Sequence, residues 1–172
     1  MKTIRTSVFE TNSSSMHAIS FATDEPKVTV DKIHVNASGE YGWDIRDYES
    51  PDEKLDYATV AFMLVASNAV KSELEEDVID YIDEKLQNVA NCFAKHGVIV
   101  EFAEDMYKVN IEHHYSNDVY VKVEINGYID HQSAPYEDND SAKIARWFAE
   151  DPEELFKFVF NSSLIHTDND NH

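Results

Sequence analysis

The chain has 172 residues, enough for one domain, or a domain with an appendage, to bury a hydrophobic core without disulfides. Its 14 basic and 34 acidic residues give a net charge of −20, which argues against binding to nucleic acid or to an anionic membrane. The single cysteine, Cys92, excludes an intramolecular disulfide and a cysteine-based zinc site. No signal sequence opens the chain and no stretch is long enough to span a membrane, so we expect a cytoplasmic protein.

The first predicted feature is a polar turn between two apolar runs, residues 3–9 and 16–21, which we expect to pair as a hairpin. Period-two alternation places His17, Ile19 and Phe21 on one face of the second strand, so the imidazole of His17 should be shielded from water. The alternatives are an ordinary serine-rich turn beside a core histidine, or a turn whose hydroxyl and amide groups bind a ligand. The polar residues of the turn are Thr11, Asn12, Ser13, Ser14 and Ser15.

A resemblance rests on this same segment. Residues 5–17 read Arg-Thr-Ser-Val-Phe-Glu-Thr-Asn-Ser-Ser-Ser-Met-His, which resembles the opening of a group of small uncharacterised phage and mobile-element proteins. Residues 129–133, Ile-Asp-His-Gln-Ser, and residues 167–171, Thr-Asp-Asn-Asp-Asn, resemble segments of the same group. Together these segments cover a small fraction of the chain. The resemblance implies a phage or prophage origin and no particular mechanism.

Two long helices follow a region of short predicted strands. Ser50 and Glu53 form a capping-box pattern with proline at the first helical position, and an apolar stripe continues from there to residue 70. A second capping-box pattern, Ser72 and Glu75, predicts another helix ending near Gly97. With almost no linker between them, the helices should form a hairpin whose apolar faces pack on each other or on a sheet.

The predicted helical region is strongly acidic. Residues 47–86 contain twelve acidic side chains and three lysines, a net charge of −9. A solvated helix surface is one explanation, and a negative face that imitates a phosphate backbone is the other. On the second explanation, the partner-binding candidates are Asp52, Glu53, Asp56, Glu73, Glu76, Asp77, Asp80, Asp83 and Glu84.

The C-terminal half begins with predicted strands at residues 98–103, 106–113 and 119–125. Asn126-Gly127 is typical of a two-residue hairpin turn, and the resulting register would place Asp130 on the apolar face of the next strand. An inward carboxylate can mark a site, although an aspartate at a strand end can also cap the next turn. Short helices are predicted from Ser141 and from Asp151, and the polar tail at 166–172 is expected to be disordered.

No phosphate-binding loop, nucleophile elbow or metalloprotease motif is present. The remaining prediction is that segments 11–17, 130–133 and 168–170 converge. They would offer His17, Asp130, His131 and Ser133 as catalytic candidates, and Asp168 and Asp170 as weak ligands for a hard cation. No cofactor is predicted.

The sequence therefore leaves two functional hypotheses. In the first, a phage-encoded acidic protein inhibits a basic host protein, such as a nucleic-acid-binding or defence factor, by imitating nucleic acid in the host cytoplasm. In the second, a small enzyme, or a ligand- or metal-binding protein, uses the three polar segments. The expected fold is α+β, with an antiparallel sheet packed against a two-helix hairpin and short C-terminal helices.

Overall fold

The structure of the protein, a computed structural model, describes residues 15–42, 44–70, 74–113, 119–130, 133–136 and 138–169. These residues contain both helices and strands in an α+β arrangement, as predicted. The helices are α1 (Pro51–Ala69), α2 (Glu75–Lys95), α3 (Asp140–Glu150) and α4 (Pro152–Phe160). The strands are β1 (Ser15–Ser20), β2 (Lys32–Val35), β3 (Glu40–Tyr41), β4 (Arg46–Tyr48), β5 (Ile99–Phe102), β6 (Tyr107–His113), β7 (Val119–Ile125), β8 (Tyr128–Ile129) and β9 (Leu164–Asn169). Across the described ranges, no helix is both long and apolar enough to cross a bilayer.

The strands pair as several small ladders. β9 lies between β1 and β4 in an antiparallel three-stranded sheet, and β6 pairs with β7, also antiparallel. β2–β5 and β3–β8 are parallel pairs, which the prediction of an antiparallel sheet did not anticipate. Parallel neighbours need a long crossover. Here the connection from β2 to β5 contains both long helices, and that sequence separation hides the pairing from any local pattern.

Helix α1 is the centre of the hydrophobic core. Ten of its 19 residues are buried, so it lacks the exposed face that a surface helix would keep. The ring of Phe62 stacks on Phe148 of α3, with centroids 4.7 Å apart. The predicted capping box is present: the Ser50 hydroxyl accepts from the Glu53 amide, and the Glu53 carboxylate accepts from the Ser50 amide. Stable capping fixes where this buried helix begins.

Helix α2 is amphipathic and lies nearer the surface. Its buried residues recur at three- and four-residue intervals, and its other side is exposed. The helix begins at Glu75, with Leu74 as N-cap and no side-chain capping bond, whereas the predicted capping box used Ser72. Ser72 itself lies outside the described residues. Three acidic residues in the first turn complement the helix dipole instead: Glu75, Glu76 and Asp77.

Two local predictions in the C-terminal half of the chain were wrong. The Asn126-Gly127 hairpin does not form, because β7 pairs with β6 while Tyr128 donates its amide to the Gly39 carbonyl and joins β3. A Cβ on Gly127 would lie 2.5 Å from the Ala37 carbonyl oxygen, so this glycine permits close backbone approach rather than a hairpin turn. Residues 166–169, expected to be disordered, belong to the central strand of the β1–β9–β4 sheet. Residues 166–169 all pair with β1, and residues 166 and 167 also pair with β4.

Candidate functional site

The β1–β9–β4 sheet determines which side chains face the core. His17 lies opposite Thr167, and Ile19 lies opposite Ile165. Ile19, Ile165 and Thr167 are all buried, and side chains directly opposite one another share a face of the sheet. The His17 side chain therefore belongs to the inner face, as the alternation in the sequence predicted. The predicted first strand of its hairpin, residues 3–9, lies outside the described residues.

The two ring nitrogens of His17 are unusual for buried polar atoms. Its Nδ1 and Nε2 atoms are both buried, and neither has a hydrogen-bond partner within the described ranges. The ring lies 6.1 Å, centroid to centroid, from that of Tyr57 on α1. Burial lowers the pKa of His17 from 6.5 to about 4, with Asp130 opposing this shift and His166 adding to it. The imidazole is therefore neutral at pH 7 and keeps one donor and one acceptor.

Asp130 is the second buried polar group of the site, only 3% exposed. Its amide donates to the Tyr41 carbonyl at 2.9 Å, and its carbonyl accepts from the amides of Ser133 and Ala134, both at 2.8 Å. The Tyr128 hydroxyl lies 3.4 Å from Oδ1. Asp130 thus follows β8 and its carbonyl opens the next turn, while its carboxylate remains within electrostatic reach of His17.

Gly42 allows the chain to approach Asp130 closely. Its φ is +133°, and a Cβ built there would lie 2.5 Å from the Cβ of Asp130. Any other residue would clash with the aspartate and adopt a strained backbone. The position of Asp130 therefore depends on a glycine in the loop after β3.

Three tyrosines line the same region from α1, β3 and β4. The Tyr41 ring makes edge contacts with Tyr48 and Tyr57, each at 4.9 Å between centroids. The Tyr57 hydroxyl and the Ser141 hydroxyl share a buried hydrogen bond of 2.5 Å, and Tyr41 donates to Asp56 at 2.9 Å. Burial raises the pKa values of Tyr41 and Tyr57 well above 10. Both phenols therefore stay protonated. They line the site and form hydrogen bonds, and they do not act as bases.

The structure brings together part of the predicted three-segment site. His17 and Asp130 come from two of the segments, and Thr167, which precedes the third, donates its hydroxyl to the Asp44 carbonyl at 2.5 Å. Asp168 pairs opposite Met16 and, by strand alternation, faces away from Thr167. Ser133 contributes its amide to the turn after Asp130. Residues 11–14, His131 and Asp170 lie outside the described residues, and nothing is described of the Ser15 side chain.

The acidic residues divide between two roles. Glu53 caps α1 and pairs with Arg46, and Asp56 accepts from the Gly39 amide and from Tyr41, so α1 uses two of its acids internally. Asp52 is exposed, and Glu73 lies outside the described residues. The remaining candidates are exposed on α2: Glu76, Asp77, Asp80, Asp83 and Glu84. The predicted face of two acidic helices therefore reduces mainly to the N-terminal half of α2.

Lys54 is a buried charge that sequence reasoning missed. It is 1% exposed, and its ammonium donates to the carbonyls of Asn161 at 2.9 Å and Ser163 at 3.3 Å. Burial lowers its pKa to about 8, while Asp24 and Glu49 oppose the shift. Because Asn161 is the C-cap of α4, the lysine complements the negative end of that helix. Only the near-continuous apolar character of α1 hinted that position 54 faces inward.

Comparison with known proteins adds no identification. No protein family, no curated protein and no solved structure matches this chain.

Proposed function

We propose that this protein binds a small polar ligand at the His17–Asp130 site, with His17 acting as a hydrogen-bonding group. The observation that carries the proposal is the buried imidazole, whose two nitrogens have no partner among the described residues. A buried polar group left without a partner costs roughly 1–3 kcal/mol. A histidine kept at that cost, beside a buried carboxylate, is more typical of a functional site than of a packing position.

The electrostatics of the site limit the class of ligand. The His17 imidazole is neutral at pH 7, so it supplies no positive charge for a phosphate or carboxylate. We expect a ligand that carries hydroxyl, amide or amine groups and is uncharged or cationic. A ligand hydroxyl or amine can donate a hydrogen bond to the ring nitrogen without a proton, and a ligand carbonyl can accept one from the other ring nitrogen.

The test is a thermal-shift screen of the full chain with polyols, nucleosides and primary amines. A compound that binds the folded state raises the unfolding temperature of the wild-type protein and not that of His17→Leu. His34→Leu is the matched control, because His34 is an exposed histidine that pairs with Glu101 on the surface. Compounds that stabilise wild type and His17→Leu equally, or the absence of any stabilising compound, would contradict the proposal.

A second function is supported by a different observation. The first ten residues of α2 contain six acids, and Glu76, Asp80, Asp83 and Glu84 are exposed. This surface favours a basic partner, consistent with a phage-encoded protein that inhibits a nucleic-acid-binding or defence protein in the host cytoplasm. Two of its acids already have partners within the chain, since Tyr107 donates a hydrogen bond to Asp83 and Lys85 pairs with Glu84. For that reason we rank it below the His17–Asp130 site.

Affinity capture from host lysate, washed at increasing salt, tests this second function. The bait is wild type or a variant with Glu76→Gln and Asp80→Asn, both of which change exposed side chains. A basic protein that is retained by wild type, lost by the variant and released by salt supports the proposal. Capture that is equal with both baits or resistant to salt would refute it.

A further inference from the structure

We propose that Cys92, His96 and Glu153 form a zinc-binding site that joins the end of α2 to the start of α4. Their ligand atoms, one from each side chain, all lie within 4.8 Å of one another. This site is separate from the His17–Asp130 pair and does not depend on the function proposed for it.

The two helices position the three ligands. Cys92 and His96 are four residues apart around the end of α2, so their side chains lie on one face. Glu153 is the second residue of α4, and its Oε2 lies 2.9 Å from Nε2 of His96. The Sγ atom of Cys92 lies within 4.8 Å of the Glu153 carboxylate. The ring of His96 stacks on Phe156 at 4.0 Å between centroids, which fixes the orientation of the imidazole.

The distances require only a small adjustment for tetrahedral coordination. Zinc bonds of about 2.3 Å to sulfur and 2.0–2.1 Å to nitrogen or oxygen place tetrahedral ligands roughly 3.4 to 3.6 Å apart. The His96–Glu153 pair would separate by about 0.5 Å from its present 2.9 Å, within the reach of a side-chain rotation. The distances to the Cys92 sulfur, at most 4.8 Å, would have to shorten by up to about 1.3 Å to reach the tetrahedral spacing.

The chemistry of the ligands favours zinc over a hard cation. Thiolate and imidazole suit zinc, whereas magnesium and calcium prefer sites made of oxygen. On binding, the thiol releases its proton to solvent, and sulfur donates an electron pair to the metal. Three protein ligands leave a fourth position for water, and the side chains of His96 and Glu153, 37% and 52% exposed, give solvent access to it.

This proposal departs from the expectation that one cysteine excludes a cysteine-based zinc site. That exclusion considered sites built on cysteine pairs. A mixed site needs only one sulfur, and its carboxylate here comes from a position 57 residues beyond the histidine. Only the packing of α4 against α2 reveals it. The alternative is a hydrogen-bonded trio without affinity for metal, held by the ion pair between His96 and Glu153.

Titration of the reduced full-length protein with cobalt(II) chloride distinguishes a zinc site from a trio without affinity for metal. A tetrahedral thiolate site gives a thiolate-to-cobalt charge-transfer band in the near ultraviolet, which added zinc chloride abolishes. We expect this band in wild type and its loss in Cys92→Ser. Because even outer-shell substitutions weaken metal sites by about 10–100-fold, His96→Gln and Glu153→Gln should each weaken zinc binding by more than about tenfold.

The matched control is His34→Gln, which disrupts another exposed histidine–glutamate pair that includes no cysteine. It should retain wild-type affinity for zinc. At about a hundred times its dissociation constant for wild type, zinc should raise the unfolding temperature of wild type by roughly 5 to 10 °C and that of Glu153→Gln by about half as much or less. Glu153 is half-exposed, so this variant decides the question if Cys92→Ser fails to fold. No charge-transfer band, or equal zinc affinity in His96→Gln and His34→Gln, would overturn the site.

Discussion

His17→Leu should make the stability of the protein less sensitive to acid. In the unfolded chain, a histidine with an ordinary pKa of 6.5 gains a proton as the pH falls, whereas the folded state holds the pKa of His17 at about 4. Between these two values the unfolded state binds more protons, so wild type loses stability as the pH falls through this window. Above the window the effect vanishes, and the leucine variant lacks it entirely.

The magnitude follows from the two pKa values. From about pH 8 to about pH 5.5, the linkage to His17 destabilises wild type by about 1.4 kcal/mol. Other titrating groups contribute equally to both proteins and cancel in the comparison. The leucine variant also removes a buried group without a partner, which adds roughly 1–3 kcal/mol of stability at either pH. It should therefore be the more stable protein, by a larger margin at the lower pH.

Urea unfolding of both proteins at the two pH values measures this difference. With an m-value of about 1–3 kcal/mol/M, the acid-dependent part shifts the midpoint by roughly 0.5–1.4 M more in wild type than in the variant. Parallel pH dependence in the two proteins would refute the assignment of His17 as a buried neutral group. A less stable variant at both pH values would show instead that the imidazole has a stabilising partner.

Four further substitutions test the packing and capping described above by the free energy of unfolding. Gly42→Ala should cost more than about 2 kcal/mol, since φ is +133° and the new Cβ would lie 2.5 Å from Asp130. Gly97→Ala, with φ of +81° and no atom within 4 Å, should cost only about 1 kcal/mol, and equal effects at the two glycines would contradict the close approach. Tyr57→Phe removes a buried hydrogen bond of 2.5 Å and should cost about 1–3 kcal/mol; an unchanged thermal midpoint would argue against it. Ser50→Ala should cost about 1 kcal/mol by removing the cap of α1, and full stability in this variant would show that the capping box is dispensable.

Features with a local physical cause could be predicted from the sequence. The capping box at Ser50 and the proline after Asp151 both mark real helix starts. Alternation along residues 17–21 correctly placed His17 on the inner face of its strand. Each of these signals lies within a few residues of the structure it specifies, so no tertiary contact is needed to read it.

Features that depend on distant segments could not be predicted. Strand β9 runs through the polar residues 166–169, because β1 pairs with all four of them and β4 pairs with the first two. Gly127 reads as a hairpin turn, yet its lack of a side chain serves the approach to Ala37 from another part of the chain. The burial of Lys54 depends on hydrogen bonds to the carbonyl groups of residues 161 and 163. The sequence pattern of α1 gives no information about these distant partners. In each case a tertiary partner overrides the local preference.

The most direct test of the ligand site is NMR of the full-length protein with ¹⁵N-labelled histidine. One imidazole should remain neutral at about pH 5.5, disappear in His17→Leu, and change its ring nitrogen shifts when a compound that stabilises only wild type is added. A His17 ring that titrates near pH 6.5, or ring shifts unaffected by any such compound, would contradict the account.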